Sequence, residues 1–147
     1  MKKPILFFLI FVCLNSATHP SNVVKEYSKE LAHSPSPLPD RVVLTWNDDP
    51  AITQAVTWRT DTSIEVGLAQ LAVANSNGRA LKPDEFKAET SYFKSDINEA
   101  HYHSVTFKNL KPNTLYAYRV GDGVNWTEYY HFKTASSEEE PFSFIYF

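Results

Sequence analysis

Cysteine is almost missing from this chain, and the one copy present is badly placed to staple a fold: Cys13 lies inside a leading apolar run. The remainder can form no disulfide in an oxidising compartment, can bind no metal through sulfur, and must be held by its core. An excess of positive charge is missing too, with 14 Lys and Arg against 17 Asp and Glu. Nothing in that balance attracts a phosphate backbone, so no nucleic-acid partner is expected. Beyond the leading run there is no second long hydrophobic stretch, and no permanent membrane span is expected.

The leading run has its own logic. Met1-Lys2-Lys3 is a positive start, Ile5 to Leu14 is an uninterrupted apolar run of ten, and Asn15-Ser16-Ala17 closes it with small or polar residues. Residues 1–17 read as a secretory signal peptide, too short to span a bilayer and cleaved near Ala17, which predicts a secreted, periplasmic or extracellular product. Val12 stands before Cys13 where a bacterial lipoprotein signal needs a small residue, so lipid anchoring is not expected. Loss of Lys2 and Lys3 leaves 12 basic against 17 acidic residues, a formal charge of −5 with His neutral.

Residues 18–40 read as an N-terminal arm with one helical turn around Val23 to Leu31. Within it Pro35, Pro37 and Pro39 alternate with other residues, which excludes helix and ladder pairing there. From residue 41 to 135 the text is strand and turn. Val42, Leu44 and Trp46 alternate, Asn47-Asp48-Asp49-Pro50 turns, and Ala51 to Thr60 is a strand with Val56 and Trp58 on one face. Ile64 to Val73, Phe86 to Phe93, His101 to Leu110, Leu115 to Gly121 and Trp126 to Thr134 complete a set of about seven short strands. Strands that short, spaced by turns, predict an all-β sandwich of antiparallel strands.

The stretch from Leu110 to Gly123 narrows the fold. Thr114, Tyr116, Tyr118 and Val120 recur at an interval of two, so they share one face of a strand. An apolar Leu110, a turn at Pro112 and then Tyr116 match a tyrosine corner, in which the ring enters the core and the hydroxyl bonds backbone upstream. That device pins the crossover between the sheets of an immunoglobulin-like or fibronectin type III-like sandwich. Trp58, Phe107, Tyr116 and Phe132 are the expected large core residues.

After Thr134 the composition shifts. Residues 136–141 are an acidic linker, a solvated spacer rather than a calcium site. Residues 142–147, FSFIYF, read as the first strand of a second domain, because an exposed apolar edge would invite aggregation.

Local candidates for chemistry are few. His101 and His103 form an H-x-H pair whose imidazoles share one side of a strand and could supply two zinc ligands. Their parity continues through Val105 and Phe107, however, so that side runs into the core, and no third ligand is evident. Asp48 and Asp49 resemble paired acid–base carboxylates, yet a turn before Pro50 explains them equally well. Gly121-Asp122-Gly123 joins two antiparallel strands and opens no helix, so it is a hairpin turn rather than a phosphate loop. Asn125-Trp126-Thr127 fits an N-glycosylation acceptor. Of Tyr129 and Tyr130 on one strand, one must face outward.

Taken together, WNDDP followed by QAVTWRT, the block HYHSVTFKNLKPNTLYAYRVGDGVNWTEYYHFKT, and PFSFIYF after an acidic linker resemble the N-terminal region of purple acid phosphatases, over about Pro39 to Phe147. The resemblance implies a fibronectin-like sandwich preceding a metallophosphoesterase domain, the partner to which this segment would be joined. It further implies a parent enzyme that hydrolyses phosphate monoesters at a ferric ion paired with divalent Fe, Zn or Mn. Those ligands belong to the other domain. No catalytic, metal or cofactor residue is carried onto this chain, which alone is expected to be inactive. The rival reading is a secreted fibronectin-like module that binds carbohydrate or protein.

Overall fold

The computed structural model describes residues 33–76, 81–139, 141 and 143. The leader, most of the arm and the final apolar strand expected from the sequence lie outside the described residues. Eight strands form the body: β1 (Asp40–Thr45), β2 (Gln54–Thr60), β3 (Leu68–Val73), β4 (Asp84–Lys87), β5 (Glu89–Lys94), β6 (Glu99–Phe107), β7 (Leu115–Gly121) and β8 (Tyr130–Lys133). They make two antiparallel sheets, ordered β1-β2-β6-β5 and β4-β3-β7-β8. This is an immunoglobulin/fibronectin type III-like sandwich.

Each sheet buries the face that the alternation selects. Val56 and Trp58 on β2, His103, Val105 and Phe107 on β6, and Tyr116, Tyr118 and Val120 on β7 all point between the sheets and are buried. Trp58 and Phe107 are fully enclosed, and Phe132 stacks on Tyr116 at 5.5 Å. The Trp58 indole N–H is buried without a hydrogen-bond partner.

The tyrosine corner forms as the sequence requires. The Lys111 backbone N–H donates to the Tyr116 hydroxyl at 2.8 Å, across the turn at Pro112 and Asn113. Leu110, buried just before that turn, is tied to the neighbouring loop by its N–H to the Ile52 carbonyl at 2.9 Å.

Several strands differ from expectation: the strand expected from Ile64 begins only at Leu68, the one expected over His101 to Leu110 runs from Glu99 to Phe107, and three others depart further. Phe86–Phe93 is not one strand: the chain breaks at Ala88, whose N–H turns to the Gly67 carbonyl at 2.9 Å, so β4 joins one sheet and β5 the other. The first residues expected in the β2 strand, Ala51 to Thr53, instead form a turn whose amides bond Asp49. Ladder pairing of β8 begins only at Tyr130, while Trp126 makes an isolated bridge to Gly121.

A bulge in β1 sets one contact that matters later. Val43 faces Thr57 but Asp40 faces Arg59, so β1 carries an extra residue there, and Arg41 takes φ 49°. Simple alternation would put Asp40 on the same inward side as Val42; the bulge returns it to the outer side, opposite Arg59.

Candidate functional site

The inner end of the sandwich holds the most chemically distinctive group, built on β2, β5 and β6. His103 pairs directly with Trp58 on one neighbour and with Thr90 on the other. Its ring lies 5.3 Å from Trp58, its Nε2 is 2.8 Å from Thr60 Oγ1, and its Nδ1 is 2.9 Å from Thr90 Oγ1. Thr60 already donates its single hydroxyl hydrogen to the Asp61 carbonyl at 3.0 Å, so toward His103 it accepts. His103 is therefore the Nε2–H tautomer, with Nδ1 accepting from Thr90.

That environment holds the imidazole neutral. Burial, helped by the neighbouring His101 ring, lowers the His103 pKa to about 4. Gly67 comes down from the opposite sheet onto the same ring, where an added Cβ would lie 2.6 Å from His103 Nδ1 and 2.8 Å from Trp58 Cζ2. Only glycine fits there.

The H-x-H pair does share one side, as its spacing predicts, and both rings are held by hydrogen bonds. Both nitrogens of His103 are engaged by threonine hydroxyls. His101 donates from Nδ1 to the Ile64 carbonyl at 2.8 Å, a contact that fixes its tautomer, and stands edge-on to His103 at 6.2 Å. Among the described residues no group of three or more His, Cys, Asp or Glu side chains converges as a metal site. A dinuclear iron-type centre does not fit this donor set.

Asp48 and Asp49 serve their turn. Asp48 Oδ1 accepts from the Asp49 N–H and Asp49 Oδ1 from the Ala51 N–H, each at 2.8 Å. Asp122 does the same in the hairpin beyond β7: its Oδ1 accepts from the Val124 and Asn125 amides at 2.8 and 2.6 Å. Partial burial would raise the Asp122 pKa, but these amide donors and the Asn125 side chain outweigh it and the net shift is downward. Gly121-Asp122-Gly123 is thus a self-capped turn, tight enough that a Cβ on Gly121 would sit 2.2 Å from the Asn125 carbonyl oxygen.

Two surface features were not anticipated. On the outer side of the β4-β3-β7-β8 sheet, Glu85 accepts from Gln70 at 3.0 Å, Gln70 accepts from Arg119 Nε at 2.9 Å, and the Arg119 guanidinium lies over Trp126 at 4.7 Å and Tyr129 at 4.8 Å. This ladder settles the tyrosine question: Tyr129 covers Arg119, while Tyr130 packs on Tyr118 and is 42% exposed. On the outer side of the other sheet, Phe93 and Tyr102 meet edge-on at 6.0 Å and stand 55% and 38% exposed beside Ile97. The alternation of β7 sends Arg119 to the side opposite Tyr118 and Val120, but its aromatic partners come from a loop whose path no alternation gives.

Near that aromatic pair, Arg59 is 4% exposed and forms a forked ion pair with Asp40, Nε to Oδ1 at 2.8 Å and Nη2 to Oδ2, with a further bond from Nη1 to the His33 carbonyl at 3.1 Å. The hydrogen bond to Asp40 raises the guanidinium pKa further. A cavity of about 330 Å³ beside it is lined by Arg41, Arg59, Phe93, Ile97 and Tyr102 among others. Its lining also includes Ser95 and Asn98, with Ser95 Oγ donating to the Asn98 carbonyl at 3.0 Å and Asn98 Nδ2 to the His33 carbonyl at 3.3 Å.

The class defined by this fold is a fibronectin type III-like module. The chain belongs to the family of the purple acid phosphatase N-terminal domain, whose model matches residues 39–134. A search among curated proteins finds no match. Solved structures similar to it include the FN1–FN3 domains of chicken CNTN1, at 19% identity and TM-score 0.45 over 69% of this chain and 31% of that one. Another is the fn3 domain of human contactin 1, at 16% identity and TM-score 0.47 over 74% and 86% of the two chains. A third is the third fibronectin III domain of human KIAA0343 protein, at 14% identity and TM-score 0.46 over 84% and 99%. The chain thus spans less than a third of the chicken fragment. No helix among the described residues is long and apolar enough to cross a membrane.

Proposed function

We propose that this chain is the N-terminal accessory module of a secreted purple acid phosphatase-like enzyme and that it works joined to a metallophosphoesterase domain. The family match across residues 39–134 carries this reading. The commitment of His101, His103, Asp48, Asp49 and Asp122 to structural hydrogen bonds supports a role other than catalysis for the module itself. In this reading the adjoining domain holds the ferric and divalent ions and hydrolyses phosphate monoesters, acting on hydroxide and phosphoryl oxygen as metal centres do. The module shields one side of that domain.

The test begins with the transcript beyond the codon for Phe147. A frame that continues into Gly-Asp and later Asn- and His-rich motifs supports the proposal; a stop codon, or a second sandwich, overturns it. The longer product is expected to hydrolyse para-nitrophenyl phosphate, and the present chain to leave it intact. A second reading, a secreted module that binds carbohydrate or protein, is favoured by the outward pair Phe93 and Tyr102.

A further inference from the structure

We propose that Asn125 carries an N-linked glycan, an inference that rests on the secretion reading above. Asn125-Trp126-Thr127 is the only Asn-x-Ser/Thr triplet in the sequence, and its middle residue is not proline. The structure places it at the turn after β7, where Asn125 is half-exposed and the preceding Val124 is 84% exposed.

The geometry of this turn tolerates the modification. Asn125 Nδ2 donates to Asp122 Oδ2 at 3.1 Å. A primary amide has two hydrogens on that nitrogen, and glycosylation replaces one, so the other still serves Asp122. The turn is also held by groups that a glycan leaves untouched: the Asn125 backbone N–H to Asp122 Oδ1 at 2.6 Å, the Asp122 N–H to the Asn125 carbonyl at 3.2 Å, and the Gly121–Trp126 bridge. Thr127 keeps its place through its N–H to the Val120 carbonyl and a bond from the Val120 N–H to its hydroxyl.

The donor would be a lipid-diphosphate-linked oligosaccharide. Its anomeric C–O bond breaks, a C–N bond forms to Asn125 Nδ2, the lipid diphosphate departs, and the displaced amide proton passes to a base of the transferase. No electrons change hands.

The experiment expresses the full chain in insect cells and reads two things separately. Appearance of the chain in the medium, with its leader removed, tests secretion. Peptide mapping tests Asn125: trypsin releases residues 120–133 as one peptide, bounded by Arg119 and Lys133. Treatment with peptide:N-glycosidase is expected to sharpen a slower gel band and to leave Asp at position 125. Asn125→Gln should abolish the shift, and Thr127→Ser, which keeps both the hydroxyl and the triplet, should retain it. If the native leader fails, a heterologous cleavable signal replacing residues 1–17 isolates the question. A secreted chain whose 120–133 peptide carries unmodified Asn125 overturns the inference, whichever leader delivered it.

Discussion

Trp58 and His103 stand directly opposite each other on β2 and β6, with ring centroids 5.3 Å apart and planes 29° from parallel. A potentially charged ring is thereby pressed against the largest apolar side chain of the core, with Thr60 and Thr90 on its two nitrogens. The arrangement works only while His103 is neutral, and the first two predictions start from it.

Stability should fall with acid through a definite window. An unfolded His titrates near 6.5, whereas His103 in the fold is lowered to about 4. As pH falls, the unfolded chain takes up the proton first, so the contribution is fully present above about 6.5 and is lost progressively toward 4. The expected loss is about 3 kcal/mol across that window. Urea melts at pH 7, 5.5 and 4 check it against His103→Gln, whose curve should be flatter; parallel curves would refute a buried neutral imidazole.

Trp58→Ala should cost about 3–5 kcal/mol, the range for emptying a large core site. Trp58→Phe should cost less, since it keeps a stacking ring and removes an indole N–H that is buried without a partner. Denaturant midpoints of the two variants give the ordering, and an unchanged midpoint for Trp58→Ala would take that residue out of the core.

Tyr116→Phe leaves the ring in place and removes the acceptor for the Lys111 amide. Because Lys111 lies at an exposed turn, water recovers part of the lost bond, and a cost of about 1 kcal/mol is expected. Hydrogen exchange at the Lys111 amide should accelerate in the variant. Protection equal to that of the parent chain would show that the hydroxyl does not pin this corner.

The Arg59–Asp40 pair should behave asymmetrically. Asp40→Ala leaves a guanidinium buried beneath its missing partner and should cost about 2 kcal/mol or more. Adding Arg59→Met to that variant should recover much of the loss, because the unpaired charge goes with it. A double variant less stable than Asp40→Ala would count against the burial argument.

The features legible in the sequence were those governed by local rules. Alternation placed Tyr116, Tyr118 and Val120 inward, and the same parity sent His101 and His103 toward the core rather than an open site. The break at Ala88 was hidden because Phe86 to Phe93 contains neither glycine nor proline; the partner that causes it, the Gly67 carbonyl, is distant in sequence. The bulge that joins Asp40 to Arg59 and the loop that folds Trp126 and Tyr129 over Arg119 were hidden for the same reason: cross-strand registry decides both, and registry emerges only when the sheets assemble.

The single residue between β4 and β5 gives the sandwich an unequal pair of flanks. On one flank a covalent hinge at Ala88 stitches sheet edge to sheet edge, while the other is bordered by β1 and β8, the first and last strands, which no short segment connects. The layers are tied as well by the β2-to-β3 and β6-to-β7 crossovers and by the Ala135 N–H to the Pro50 carbonyl at 3.0 Å, so early fraying should be confined to the outer strands β1 and β8 while Ala88 keeps the β4–β5 flank closed.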